Sequence, residues 1–464
     1  MFWKAISFAC LRLSNDIYSG GHIQLNKLRM ASLSFIAIVT GTLVACSQGP
    51  SNDKDKAAPD ASVPKANSTD YKGGAAELLV LDVNTGTTDE QFQKFFVEPV
   101  KAKHPQINLK KTVDTLDKLL AAGTAPDMVL VSNASLATML EADIPEDLTQ
   151  MFKTYGVNTA QLEPAVFQQL QKLGDQKALY GLPFYMNYGI MVHNRDIFDK
   201  FGVPYPKDVM TYEELLELGK KLTRSDGGTN YIGVMPPDLR QMYWQYGVPV
   251  FDKTKGKSSL TSDRHVQVFS LLKQFYSIPG YLDNGKHSHS VDLFFKEQRM
   301  AMYPNWVAAM VTFFDRAGTK DAFNWNVTAH PSYSDKQGLG KEVDFAIAVV
   351  NKSGKYREAA YQVLLSLYSQ EVQTKFSKAG RLSVLKNDEI RKVYGEDSSV
   401  YKGKNLQSMF KVSPSPLPDS SKYDPKINAL LIGEVVKSVM VDGTDINTAL
   451  RNAEDKANKE IVIP

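Results

Sequence analysis

The run Glu77-Leu78-Leu79-Val80-Leu81-Asp82-Val83, followed by Thr88-Asp89-Glu90-Gln91, opens the folded body of this chain. A short, nearly unbroken apolar run reads as a strand. Thr88 with Gln91 three residues later is a capping box, and Phe92, Phe95 and Phe96 share one face of the helix that it starts. Pro105 stops that helix, and Ile107 to Lys111 reads as a second strand. A short helix around Leu116–Ala122 ends at Gly123, and Asp127 to Val131 reads as a buried parallel strand. A β-α-β-α-β run of this kind predicts an α/β fold, a parallel sheet with helices on its faces.

The alternation continues downstream. Gly189 to His193 reads as a strand, and Thr211-Tyr212-Glu213-Glu214 is a second capping box, opening a helix with Leu215, Leu218 and Leu222. Helical periodicity recurs at 264–276, 305–314, 356–368, 426–440 and 445–458, and strand-like runs lie at 299–303, 325–329 and 343–350. There is no internal repeat.

Upstream, Ser47 to Ala75 is rich in Ser, Pro, Asp, Lys, Ala and Gly, cannot bury enough apolar surface to fold, and reads as a disordered tether of roughly 30 Å reach. Before it, Lys27 and Arg29 precede an apolar run from Leu33 that ends in Leu43-Val44-Ala45-Cys46. Basic, apolar and small residues in that order read as an export signal. The run is too short to span a bilayer comfortably, which takes about 20 residues. The closing four residues resemble the lipobox of bacterial lipoproteins, which implies that Cys46 is lipidated and becomes the first mature residue. About two dozen residues before the charged region are unusual for such a signal. They suggest that Met1 is a wrongly assigned start, with the true one near Leu25; an intact Met1 on the precursor would remove that idea.

From Cys46 onward the 419 residues carry 50 basic and 50 acidic side chains, so the formal net charge is zero and nothing points to nucleic acid. That length favours two domains. Cys10 and Cys46 are the only cysteines, which excludes a structural disulfide or thiolate metal site in the mature body. Stability has to come from burial, and 43% apolar residues is ample.

At Ala178-Leu179-Tyr180-Gly181-Leu182-Pro183-Phe184-Tyr185, followed by Gly189-Ile190-Met191-Val192-His193-Asn194-Arg195-Asp196-Ile197-Phe198, the chain resembles the family 1 extracellular solute-binding proteins, the maltose-binding-protein-like receptors of ABC importers. Further blocks agree in order: Ala125-Pro126-Asp127, Phe201-Gly202-Val203-Pro204 leading to Thr211-Tyr212-Glu213-Glu214-Leu215, Phe295 to Met302 with Trp306, and Asp344 to Val350 with Ala359-Ala360. The resemblance covers about residues 76–460. Three departures stand out: His193 where the family usually has Tyr, Ile190 where it has a small residue, and Gln298 where it has Gly. The loop Val131-Ser132-Asn133-Ala134 lacks the aromatic and acidic sugar contacts of maltose-type members, so a maltose-like ligand does not follow.

The resemblance implies a two-lobed periplasmic-binding-protein-like fold of type II, with ligand in the cleft and closure by hinge bending. On this chain it places crossovers near 185–188, 302–304 and 349–352. After a signal region at 1–45 and the lipidated tether at 46–75, lobe one would comprise 76–185 plus 304–350 and lobe two 187–301 plus 352–464.

Sugars present apolar C–H faces and many hydroxyls, so a sugar receptor needs exposed aromatic rings and planar polar side chains. The candidates are Tyr185, Asn187 and Tyr188 at the first crossover, with hinge packing as the other reading; Trp244 and Tyr246 in an aromatic cluster that could equally be lobe-two core; and Tyr303, Asn305 and Trp306, expected to open a helix. Asp82 and Asn84 end the first strand, where open α/β sheets place ligands, although a turn or cap role also suits Asp82. Ser132 and Asn133 end the third strand, and Arg381 is a weaker candidate. His287 and His289 near Asp283 read as a solvated loop, so no metal is expected, and Lys352–Glu358 reads as a solvent-facing helix start.

No Gly-x-Ser-x-Gly elbow, His-Glu-x-x-His, P-loop or dinucleotide fingerprint is present. A glycosidase carboxylate pair would be distant in sequence and leaves a secreted carbohydrate hydrolase as the alternative. A receptor for a peptide, polyamine or metal is a second alternative, and an adhesin or scaffold fits the two-lobe pattern poorly. The expectation is a non-enzymatic, cofactor-free monomer on the extracellular face of the cytoplasmic membrane. It would capture a carbohydrate and pass it to ABC permease subunits.

Overall fold

The computed structural model describes residues 71–282 and 289–460. The readings of the signal region, Cys46, the tether as far as residue 70, Asp283 and His287 lie outside them. Two five-stranded sheets form the body. In the first, Ile107–Thr112, Ala76–Val83, Met128–Ser132, Asp344–Val350 and Leu182–Asn187 lie side by side in that order. The first three are parallel, and Asp344–Val350 runs antiparallel to both of its neighbours. In the second, the order is Trp325–Ala329, Gly189–Asn194, Met300–Trp306, Thr229–Val234 and Arg224–Asp226.

Both capping boxes form. Thr88 Oγ1 accepts from Gln91 N at 3.1 Å while Gln91 Oε1 accepts from Thr88 N, and Thr211 and Glu214 repeat the exchange. Phe92, Phe95 and Phe96 are buried together, as their spacing predicts, although a π-helical turn at Gln93–Val97 interrupts the helix. Helix Tyr212–Leu222 presses so closely on strand Thr229–Val234 that a Cβ at Gly233 would sit 2.2 Å from the carbonyl oxygen of Gly219. Only glycine fits there.

Three expectations need correction. The strand predicted at 299–303 extends through Trp306, and the helix begins at Val307. The reason is pairing: Asn305 lies opposite Ile190 and Trp306 opposite Gly189, so the backbone of Tyr303, Asn305 and Trp306 belongs to the sheet. The second crossover is not at 302–304. Helix Val307–Ala317 and strand Trp325–Ala329 complete the second sheet, where Trp325 stacks on Phe314 at 4.2 Å, and the chain returns to the first sheet between Ala329 and Asp344. Nor does the third lie at 349–352. Helices Arg357–Tyr368 and Gln370–Lys378 bury Ala359, Ala360, Val363, Leu364, Leu367, Val372 and Phe376 against Leu78, Phe96 and Phe184 of the first sheet's layer. The chain crosses only after them, and Ser408 Oγ then reaches Val327 O on the second sheet at 3.3 Å. The helix expected at 426–440 carries a π-helical turn at Leu431–Val435.

Gln373 pins the first lobe internally. Its Nε2 donates to Phe184 O and Leu367 O at 2.8 Å each, and its Oε1 accepts from Ser383 Oγ at 2.7 Å and Val384 N at 3.0 Å. Gln373→Ala should cost about 3 kcal/mol, because buried backbone groups lose their partners. A urea midpoint equal to that of the wild type would refute this role.

Candidate functional site

The site lies where the two sheets exchange the chain. Leu182–Asn187 is an edge strand of the first sheet and Gly189–Asn194 belongs to the second, with only Tyr188 between them. Asn187 stands opposite Asp344 in the ladder and donates from Nδ2 to Asp344 Oδ2 at 3.3 Å. Its Oδ1 accepts from Ala308 N at 3.2 Å, the start of helix Val307–Ala317. Burial pushes the Asp344 carboxyl up, against the Asn187 hydrogen bond and the Lys341 charge, which favour ionisation.

Lys341 and Glu342 precede this carboxylate on strand Leu339–Glu342, and both are buried. The ammonium lies 3.3 Å from the Glu342 carboxylate and 4.5 Å from the centre of the half-buried Trp306 ring. Burial lowers the Lys341 pKa and raises that of Glu342; each partner's charge opposes the shift, and Asp238 and Asp344 also support the lysine's charge. Asp238 caps helix Leu239–Tyr246, which carries Arg240 with its guanidinium 5.0 Å from the half-buried ring of Trp244.

On the first-sheet side, Asp82 Oδ1 accepts from Thr85 N at 3.0 Å and from Thr85 Oγ1 at 2.7 Å, which is the turn role rather than a free ligand contact. Asn84 is exposed in the left-handed region at φ 56°. The Tyr185 hydroxyl donates to Thr85 O, and Arg381 covers the Tyr185 ring at 5.0 Å while donating to Gly86 O and Gln91 Oε1. Burial is the main reason that the Tyr185 phenol is pushed up to about 12. Tyr185 and Arg381 therefore staple the loop after the first strand, so hinge packing describes Tyr185.

Other candidates are also committed to the fold. Asn133 donates to Val343 O and accepts from Phe345 N, both at 3.3 Å, clipping the backbone on either side of Asp344. Ser132 is half-buried and pairs with Ser135 at 3.2 Å. Tyr188 is buried against Phe410, and Tyr303 is buried among Phe294 and Phe295. Asn305 is half-buried, donates to the Tyr303 hydroxyl and accepts from Trp306 N. Tyr246 donates to Asp335 at 2.6 Å and packs on Tyr333, inside the second lobe. His289 bonds Tyr281 O, and among the described residues no three His, Cys, Asp or Glu side chains are grouped to hold a metal ion.

The structure thus gathers Asn187 and Trp306 of the predicted set around Asp344, Lys341 and Glu342, with Arg381 beside Tyr185 and Trp244 on the flanking helix. The sequence reading missed Lys341, Glu342 and Asp344. A signal existed: three charged residues in four positions lead straight into the apolar run Phe345–Val350. One ammonium, two carboxylates, an amide and an indole ring are thus held at the junction of the sheets.

A family profile described as bacterial extracellular solute-binding protein matches residues 89–388. The chain belongs to that family. Among curated relatives, this solute-binding protein is similar to a binding protein of Brucella abortus (strain 2308), 26% identical over 337 residues that span 68% of this chain and 76% of the other. Its fold is similar to that of a sugar transporter protein of Rhizobium etli in an open conformation, with a TM-score of 0.68 and 18% identity, covering 84% of this chain and all of that one. It is also similar to an ABC substrate-binding protein of Listeria monocytogenes solved with cycloalternan, with a TM-score of 0.65 and 19% identity over 83% and 99% of the two chains. A cyclic alpha-maltosyl-1,6-maltose binding protein of Arthrobacter globiformis gives a TM-score of 0.65 at 13% identity, over 83% and 99% of the two chains. These likenesses establish the mixed α/β, two-lobed substrate-binding fold. Among the described residues, no helix of this solute-binding protein is long and apolar enough to cross a membrane.

Proposed function

We propose that this solute-binding protein captures a carbohydrate between its lobes and delivers it to the permease of an ABC importer, without catalysing a reaction itself. The observation that carries the reading is the half-buried Trp306 at the junction of the sheets, with the Lys341 ammonium 4.5 Å from its ring and the Asn187–Asp344 pair at the same crossover. A half-buried ring near polar groups that both donate and accept suits the two surfaces that a sugar presents. Proteins of the same fold solved with cycloalternan, tagatose and mannobiose support carbohydrate over peptide or polyamine. Trp306 and Trp244 are the proposed platforms, Asp344 the proposed hydroxyl partner, and Asn84 the proposed rim. Lipidation of Cys46 would hold a monomer at the extracellular face of the cytoplasmic membrane.

The test is a thermal-shift screen of neutral oligosaccharides, peptides, polyamines and metal ions. A ligand at about 100 times its dissociation constant adds about 2.7 kcal/mol. Trp306→Ala should weaken the best sugar by about 2 kcal/mol, roughly 30-fold in calorimetric titration. Stabilisation by peptides alone would overturn the carbohydrate reading, and turnover of a tightly bound oligosaccharide would overturn the receptor reading.

A further inference from the structure

The helix Val307–Ala317 begins where the second sheet meets the crossover, and its first amides need acceptors. Trp306 occupies the N-cap position, and an indole has no acceptor oxygen to offer. The acceptors come from the crossover. Tyr188 O takes Val307 N at 2.9 Å, and Asn187 Oδ1 takes Ala308 N at 3.2 Å. Asn187 is the last residue of a first-sheet strand, and its amide is oriented by the bond to Asp344, also of the first sheet.

We propose that Asn187 is a positioning residue that couples the lobes: it caps, from the first lobe, the second-lobe helix that starts immediately after Trp306. The inference rests on the reading of Trp306 as a ligand platform. Rotation of one sheet against the other about the crossover changes the Asn187–Ala308 distance, so the placement of Trp306 depends on the angle between the lobes. The residue type is dictated by the two bonds. A donor must face Asp344 and an acceptor must face Ala308 N, and the primary amide of Asn supplies both on one short stem. The same need explains why the chain has Asn here rather than a residue free to turn toward a ligand. Tyr401 reinforces the joint from the third crossing, donating to Val307 O.

The experiment compares the wild type with N187A, N187D and the exchange N187D/D344N. In the exchange, the carboxylate at 187 still accepts from Ala308 N, and the amide at 344 donates to it. The first readout needs no ligand: hydrogen exchange of the segment 305–312 in the full chain. N187A should raise exchange at Ala308 about tenfold, and the exchange variant should return it to within about threefold of wild type. The second is calorimetric affinity for cyclic and linear tetrasaccharides and mannobiose, expected to fall about tenfold in N187A and N187D; N187D/D344N is read by amide exchange alone, because Asp344 is itself a proposed ligand contact. Unchanged amide exchange in N187A, or amide exchange in N187D/D344N as fast as in either single variant, overturns the coupling. If N187A does not fold, the comparison of N187D with N187D/D344N carries the same decision. A wild type that binds none of these sugars refutes the carbohydrate reading instead, and the ligand-free exchange readout still decides the role of Asn187.

Discussion

Lowering the pH from 8 to 5 should remove several kcal/mol of stability, chiefly through three buried histidines. His193, His265 and His330 are each 2–3% exposed. Burial pushes His193 and His330 down to about 3 and His265 to about 4; the charge of Arg195 adds to the shift at His193 and that of Lys341 to the shift at His330. Neither ring nitrogen of His193 finds a hydrogen-bond partner among the described residues. A histidine whose folded-state value lies below that of the unfolded chain is protonated first when unfolded. Its contribution is complete above about 6.5 and is lost as the pH falls toward the folded value, about 2 kcal/mol apiece at pH 5. Asp424, pushed by burial up to about 6, works in the opposite direction, as do Glu342 and Asp344, whose carboxyls burial also raises, and together they return part of the loss. Urea denaturation at pH 8, 6 and 5 measures the sum. A flat profile would sink the argument, and His193→Phe should remove about a third of the slope.

The second large effect concerns Lys341. Lys341→Met should destabilise the protein by about 3–5 kcal/mol at pH 7.5, because Glu342 is left as an uncompensated buried charge. The sign of its pH dependence is fixed. Glu342 is already pushed above the usual carboxylate range by burial, and without the ammonium it rises further. The folded variant then binds a proton that the unfolded chain releases, so the deficit relative to wild type at the same pH should shrink as the pH falls toward 5. K341M/E342L, which removes both charges, should recover most of the loss. Equal melting of K341M and wild type at pH 7.5, or a deficit that grows on acidification, would show that the pair is not buried as described. Sugar affinity measured on the stabler double variant separates the role of the ammonium beside Trp306 from its role in folding.

Much of the secondary structure was legible, in both lobes, because its signals are local. The runs 77–83 and 127–131, and the capping boxes at Thr88 and Thr211, lie within a few residues of one another and form as read. The lobe boundaries were not legible. Helix Arg357–Tyr368 shows the same apolar stripe whichever sheet it covers, and nothing within strand Trp325–Ala329 distinguishes an edge of the second sheet from one of the first. The site was half legible. Asn187 and Trp306 were picked for their chemistry and their place at crossovers. Tyr185 looked equally suitable, but its hydroxyl partner, Thr85, lies 100 residues away in sequence. The clip between Asn133 and Val343 spans 210 residues. Pairings that distant leave no trace in a local pattern, and the same holds for the ion pair at Lys341 and Glu342, whose burial is decided by what packs over it.

The position of Asp344–Val350 inside the first sheet has a consequence for synthesis. This strand separates Met128–Ser132 from Leu182–Asn187, yet Asp344 follows its partner Asn187 by 157 residues. A ribosome making the chain from its N-terminus therefore produces the parallel half and the edge strand of this sheet long before the piece that joins them. Until residue 350 has emerged, and the helices through Lys378 after it, the early strands have an open flank and no complete core. A nascent chain that cannot close its first lobe remains threadable through a membrane channel for most of its synthesis, and it needs protection from aggregation for just as long.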